Sequence, residues 1–188
     1  MGYQTHLKKQ YPNIPIEYTI TDDNITLIDG FKNHQYNLII LDYPINDNKL
    51  NTIKLFNETL HLAITKDDPL NNQTNITFNQ LNGTSILVPS KTGYWSDLCK
   101  EKLPESLIIE QENFIAYKTL QANSTLATFR TNLTIPKFKE LEDRIYLPII
   151  DKEATLTFYA TYHKQDTNFN IIQDNLTNIP WENYRDDD

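Results

Sequence analysis

The run Tyr36-Asn37-Leu38-Ile39-Ile40-Leu41-Asp42 constrains the fold more than any other stretch of the chain. Four consecutive aliphatic side chains leave neither face of a strand for water. Leu38–Leu41 therefore reads as a strand covered on both sides, with Asp42 at its carboxyl tip. A polar loop containing Asn46, Asp47 and Asn48 follows, and then a second apolar segment, Leu60–Ile64, runs into Lys66-Asp67-Asp68-Pro69-Leu70. Buried strands of this kind belong to α/β sheets, where ligands bind outside the carboxyl edge.

Met1–Gln10 is predicted as a helix with Tyr3 and Leu7 on one face. It ends at Tyr11-Pro12, because the residue before proline is pushed out of the α region. Ile14–Ile20 alternates apolar and polar side chains as a strand does. Thr21-Asp22-Asp23-Asn24 then offers capping oxygens to a helix carrying Ile25, Leu27, Ile28 and Phe31. This β-α-β order predicts that Ile14–Ile20 and Leu38–Leu41 run parallel.

Beyond Leu70, Asn71–Asn75 reads as a loop between two lobes. The pattern then predicts a short helix at Phe78–Leu81, a strand at Ser85–Val88, a polar turn and a helix at Tyr94–Lys102. A strand at Leu107–Ile109 leads to a helix at Asn113–Ala122 with Phe114, Tyr117 and Leu120 inward. Leu126–Phe129 is a strand and Pro136–Leu141 a short helix. Strands at Ile145–Ile150 and Ala154–Tyr162 precede a closing helix, Asn168–Asn178, and the acidic tail Trp181–Asp188.

Charge and residue usage exclude several functions. The net charge is −8 and the 17 basic residues are scattered, whereas binding nucleic acid requires clustered Lys and Arg against phosphates. Cys99 is the one cysteine, which excludes an internal disulfide or a thiolate metal cluster. The apolar runs are too short to span a membrane and no basic-then-apolar leader opens the sequence. A soluble, cytoplasmic protein without membrane contact is expected. Val88-Pro89-Ser90-Lys91-Thr92-Gly93 is not a nucleophile elbow, and no glycine-rich phosphate loop occurs. No histidine is paired with an acid at ligand spacing, so neither catalysis nor a metal or cofactor is expected.

Binding fits better, because polar groups recur where strands end. Thr21 follows the first strand and Asp42 the second, and Ser90 and Thr92 follow the Ser85–Val88 strand ahead of a helix. Backbone N–H groups there, with the two hydroxyls, suit an anionic or carboxylate ligand. Asn113 at a helix start and Thr128 on a strand complete the candidate set. Each of these residues is equally a helix or turn cap when taken alone; the case rests on their converging.

In this order the motifs resemble the effector-binding domain of LysR-type transcriptional regulators, whose fold is the type 2 periplasmic-binding fold. The resemblance is carried by Leu7-Lys8-Lys9-Gln10-Tyr11-Pro12-Asn13, by His34-Gln35-Tyr36-Asn37-Leu38-Ile39-Ile40 and by Leu62-Ala63-Ile64-Thr65-Lys66-Asp67-Asp68-Pro69-Leu70. Leu81-Asn82-Gly83 before Ile86–Pro89, and Asn113–Ala122 before Leu126–Phe129, are similar to later steps of the family. Asn123-Ser124-Thr125 replaces the family's Gly-X-Gly, and Asp68 stands where histidine is usual.

The resemblance implies two Rossmann-like lobes, 1–62 plus 151–188 and 63–150, with a ligand cleft between them and two crossover segments. The family's first strand and its winged helix-turn-helix are expected to precede Tyr3, so this chain is expected to lack both; either it is an excised or truncated domain, or the gene is degenerate. The implied function is sensing of a small-molecule effector in the cleft to control a helix-turn-helix domain, through which alone DNA is bound. The alternatives are a transporter's solute-binding protein and an enzyme on the same scaffold. An antiparallel homodimer is also implied, with the first helix of one subunit against the Ser90–Lys102 region of the other. Tyr94, Trp95 and Leu98 would supply its aromatic and apolar surface, or else Trp95 and Leu98 pack on their own sheet.

Overall fold

A computed structural model describes residues 11–21, 23–90, 93–138, 143–166, 169 and 176. The chain forms two compact units. Unit 1 comprises Met1–Glu58 and Leu156–Asp188, and unit 2 comprises Thr59–Thr155. The predicted helix Met1–Gln10, the acidic tail and most of the closing helix Asn168–Asn178 lie outside the described residues.

Unit 1 opens with Tyr11–Thr21, which forms no strand. The expected strand Ile14–Ile20 is therefore corrected, and with it the parallel pairing to Leu38–Leu41. Its alternation is real but only half used. Ile16 packs with Tyr11 against the core, whereas Ile20 is 72% exposed. A strand persists only where a neighbour completes its hydrogen bonds, and none is present for this segment among the described residues.

Helix α1 (Asn24–Lys32) begins at Asp23 as its capping residue. Asp23 Oδ1 accepts the N–H groups of Ile25 and Thr26 at 3.0 and 3.1 Å. The helix ends in a reversed turn in which Gln35 N–H donates to Gly30 O and His34 N–H to Phe31 O. His34 takes the left-handed conformation there, with φ 56°. Asparagine or glycine is the usual occupant of that position. Gly30 is required because a Cβ there would collide with the Tyr36 ring.

Strand β1 (Leu38–Leu41) is covered on both faces, as its sequence requires. Ile39 and Leu41 meet Phe31, Leu27 and Ile28 of α1 on one face. Leu38 and Ile40 meet Leu55 and Ala160 on the other. Its ladder partner is β7 (Thr155–His163), antiparallel, with Ile39 opposite Thr161 and Leu41 opposite Tyr159. Strand β2 (Leu50–Thr65) starts ten residues earlier than the apolar segment Leu60–Ile64 and lies beside β7 in unit 1. There Thr52 and Thr161 share a hydrogen bond of 3.0 Å and the Phe56 and Phe158 rings stack at 5.0 Å.

In unit 2 the remaining strands are β3 (Ser85–Pro89), β4 (Leu107–Gln111), β5 (Ala127–Thr131) and β6 (Arg144–Pro148), beside the second half of β2. Their order is β6-β2-β5-β3-β4. β3 pairs in parallel with both β4 and β5, while β2 pairs antiparallel with β5 and β6. The helices are α2 (Phe78–Leu81), α3 (Tyr94–Lys102), α4 (Phe114–Ala122) and α5 (Ile135–Phe138). A capping box between Thr77 and Gln80 starts α2.

The two-residue alternation divides unit 2 into faces. Ile86 and Val88 of β3 join Leu60, Leu62, Ile64, Phe78, Leu98 and Leu147 in the main core. Leu87 points the other way, next to Thr128 across the ladder. The Asn71–Asn75 segment, expected to pass between lobes, lies inside unit 2. It is held as a local turn by Asn71 N–H on Asp68 O and Asn71 Nδ2 on Lys66 O. Helix α4 also differs from expectation: Tyr117 and Gln121 are buried, and Phe114 is 54% exposed. The sheet takes the i, i+4 stripe through Tyr117, and the Phe114 ring lies over Tyr117 instead.

Candidate functional site

The candidate residues divide between the units. Thr21 and Asp42 belong to unit 1; Ser90, Asn113 and Thr128 belong to unit 2; Thr92 lies outside the described residues. Thr21 Oγ1 accepts the Asp23 N–H at 3.1 Å, so it shapes the approach to α1. Asp42 is half-buried at the carboxyl tip of β1, where the polar end of an otherwise apolar run was expected.

In unit 2 the parallel strands β3 and β4 end side by side. Ser90 N–H donates to Gln111 O at 2.9 Å, which extends their ladder by one step and fixes Ser90 beside the chain that leads to Asn113. Ser90 is half-buried, and its hydroxyl meets no hydrogen-bond partner among the described residues. Helix α3 begins nearby at Gly93, which has φ 56° and supplies no side-chain cap. Uncapped N–H groups at a helix start attract anions, although Asp97 in the first turn of α3 opposes this. Asn113 follows the capping reading: its Oδ1 accepts from Ile115 and Ala116 N–H at 2.9 and 3.0 Å.

Thr128 is fully buried. It stands on the α4 face of β5 within a polar relay that the sequence did not reveal. Arg130 Nη1 donates to Tyr117 Oη at 2.7 Å, and the Tyr117 hydroxyl lies 2.5 Å from Thr128 Oγ1. The Tyr117 oxygen thus links the guanidinium to the Thr128 hydroxyl. Arg130 Nη2 donates to Gln121 Oε1 at 2.8 Å and Nη1 to Phe129 O. The signal was present only as β5 alternation, with Thr128 and Arg130 on one face, and as the Tyr117–Gln121 spacing; which strand meets which helix is a tertiary fact.

A second guanidinium, Arg144, ties the turn between α4 and β5. It donates to the carbonyls of Gln121, Ser124 and Leu126 and to Ala63 of β2. Cys99 is buried in the main core, and burial pushes its thiol up to about 12. Among the described residues no cluster of His, Cys, Asp or Glu is arranged to hold a metal ion. Among the same residues no helix is long and apolar enough to cross a membrane.

Comparison with curated protein sequences returns no match. Solved structures share the fold at low identity. A full-length OxyR variant of Pseudomonas aeruginosa superposes with a TM-score of 0.67 at 16% identity over 94% of this chain; the chain spans 58% of that protein's length. The regulatory domain of MetR, a LysR family regulator of N. meningitidis, gives 0.65 at 16%, covering 93% of this chain and 82% of that one. The regulatory domain of Synechocystis CcmR in complex with 2-PG gives 0.64 at 16%, covering 94% and 88%. The fold is thus the mixed α/β architecture of these domains, of the type 2 periplasmic-binding kind. The family model of the LysR substrate binding domain matches residues 5–173, and the chain belongs to that family of transcription-regulator domains.

Proposed function

We propose that this domain senses a small metabolite between two lobes corresponding to units 1 and 2, and that binding controls a helix-turn-helix domain linked to it. The family match over residues 5–173 is the observation that carries this reading. In this reading Asp42, Ser90 and Thr92 contact the ligand, Thr21 and Asn113 set the turns that present them, and Thr128 steadies Tyr117 from behind. The start of α3, where Gly93 supplies no side-chain cap, favours an anionic group on the ligand. The solute-binding and enzymatic alternatives have no specific observation in their favour. A ligand acts as a signal only through unequal affinity for two states of the domain; a tenfold preference corresponds to about 1.4 kcal/mol.

Thermal unfolding against a panel of small carboxylates and phosphates tests the proposal. A true effector at a hundredfold excess over its Kd adds about 2.7 kcal/mol of stability. At roughly 2–4 °C per kcal/mol for a chain of this size, the midpoint rise is easily read. Ser90→Ala and Asp42→Ala should each abolish most of the rise while leaving the unliganded midpoint nearly unchanged. A ligand whose effect survives both substitutions rejects the assigned site.

A further inference from the structure

Unit 1 contains a cavity of about 220 Å³ beside α1 whose walls are Ile28, Phe31, Ile45 and Leu50. None of these belongs to the effector set argued above. The remaining lining is charged or titratable: Lys32, Lys49, Asp47 and His163. Asp47 Oδ1 already accepts the Lys49 backbone N–H at 2.8 Å. The Lys32 ammonium is 3.9 Å from Asp29, with both side chains largely exposed, a loose pair. The Lys49 ammonium meets no partner among the described residues. His163 is stacked on Phe31 with ring centroids 4.5 Å apart, and its Nε2 is buried without a hydrogen-bond partner among the described residues.

An apolar floor with the Lys49 ammonium at its edge, and with the Lys32 ammonium held only loosely by Asp29, defines an amphipathic anion. We propose that this cavity is a second ligand site, taking a small carboxylic acid with an apolar body. The body lies against Ile28, Ile45 and Leu50, and Lys49 and Lys32 meet the carboxylate. Size sets the class: an empty apolar cavity of about 150 Å³ holds a benzene-sized molecule, so this one accommodates a body of roughly six carbons with its head group at the lysines. The two requirements are separable, since burial of the body is insensitive to salt and the lysine contacts are weakened by it.

Hexanoate is the probe, with 1-hexanol as the neutral molecule of the same body and acetate as the head group alone. The full chain, isotope-labelled, is titrated with each and followed by amide chemical shifts. Hexanoate should give saturable shifts confined to residues 28–32, 45–50 and 163, binding about tenfold more tightly than 1-hexanol, and acetate should give none at the same concentration. Lys49→Ala should weaken hexanoate about tenfold and leave 1-hexanol unchanged. Ile28→Trp, which fills the cavity, should abolish both. Equal affinity for hexanoate and 1-hexanol, shifts centred elsewhere, or no saturation would each overturn the proposal. Because every residue involved lies in unit 1 outside the effector set, these outcomes leave the primary sensing site independently testable.

Discussion

At the scale of single residues, the buried polar groups of unit 2 decide more than the exposed ones. Cys99 is the only thiol, and it sits in the main core, 3% exposed, with its thiol raised to about 12 by burial. The attacking species in thiol chemistry is the thiolate, so almost none exists at neutral pH. The folded protein is expected to resist alkylation by iodoacetamide and to keep its unfolding midpoint after peroxide treatment. Rapid labelling of Cys99 under native conditions would contradict this. Arg144 is the opposite case, a half-buried cation whose donors are spent on backbone carbonyls. Removing it strands several acceptors at once. Arg144→Ala should cost at least about 2 kcal/mol in denaturant unfolding, and Arg144→Lys should recover little because an ammonium lacks the planar fork. An Arg144→Ala protein of unchanged stability would show that the α4–β5 turn holds itself.

Arg144 also explains, at the scale of elements, a turn that the sequence left open. Asn123-Ser124-Thr125 stands where the resemblance implied Gly-X-Gly, and no local rule says how such a turn is held. The answer comes from β6, some twenty residues later, and long-range support of that kind is invisible to periodicity. Elements whose pattern is self-sufficient were legible: Leu38–Leu41, the Asp23 cap, Phe78–Leu81 and Tyr94–Lys102 follow from burial and capping alone. Ile14–Ile20 was not, because alternation promises a strand only if a partner is present. Of the candidate residues, the strand-end positions of Asp42 and Ser90 could be read, whereas the enclosure of Thr128 by Tyr117 depends on which helix covers β5.

His61 and Asp23 couple folding to pH in different ranges. His61 on β2 is half-buried, and burial holds its imidazole below the ordinary 6.5, against the opposing effect of its Nδ1–H bond to Thr59 O. The folded state thus favours the neutral ring. As pH falls below 6.5 the unfolded chain takes up a proton first, and stability is lost until the folded imidazole is protonated too. Asp23 acts lower down. The Thr26 hydroxyl and the Thr26 and Ile25 N–H groups hold its carboxyl below 3.8, so the cap is complete above that value and is lost as pH falls through the folded one. The thermal midpoint should therefore fall in two stages on acidification. His61→Gln should remove the upper stage and Asp23→Ala should diminish the lower, to which Glu153, also held below its ordinary value, contributes; a midpoint that stays flat in the wild-type chain from neutral pH to about 5 rejects the His61 assignment.

For the whole molecule the open quantity is its oligomeric state, where the fold narrows the alternatives. Of the α3 residues considered for an interface, Leu98 is 5% exposed and Trp95 packs against the core of its own unit. Leu98 is committed to the core, and Trp95, partly buried against it, is largely spent there. Tyr94 is different. It is 42% exposed, its ring meets Trp95 edge-on and its hydroxyl donates to Glu153 O, so an aromatic surface is held in a fixed pose. Tyrosines presented in this way are typical of interface cores. We propose an antiparallel dimer in which Tyr94 and the surface around α3 meet the segment of a second copy that the sequence predicts as a helix with Tyr3 and Leu7 on one face, a contact that two-fold symmetry makes twice. Light scattering at micromolar concentration should give about twice the 22.0 kDa chain mass. Tyr94→Glu and Leu7→Asp should each return it to the monomer value without lowering the unfolding midpoint of the dilute protein, whereas Leu98→Asp should unfold unit 2 outright. A wild-type mass near 22.0 kDa at every concentration rejects the dimer. A dimer that survives both Tyr94→Glu and Leu7→Asp places its interface elsewhere.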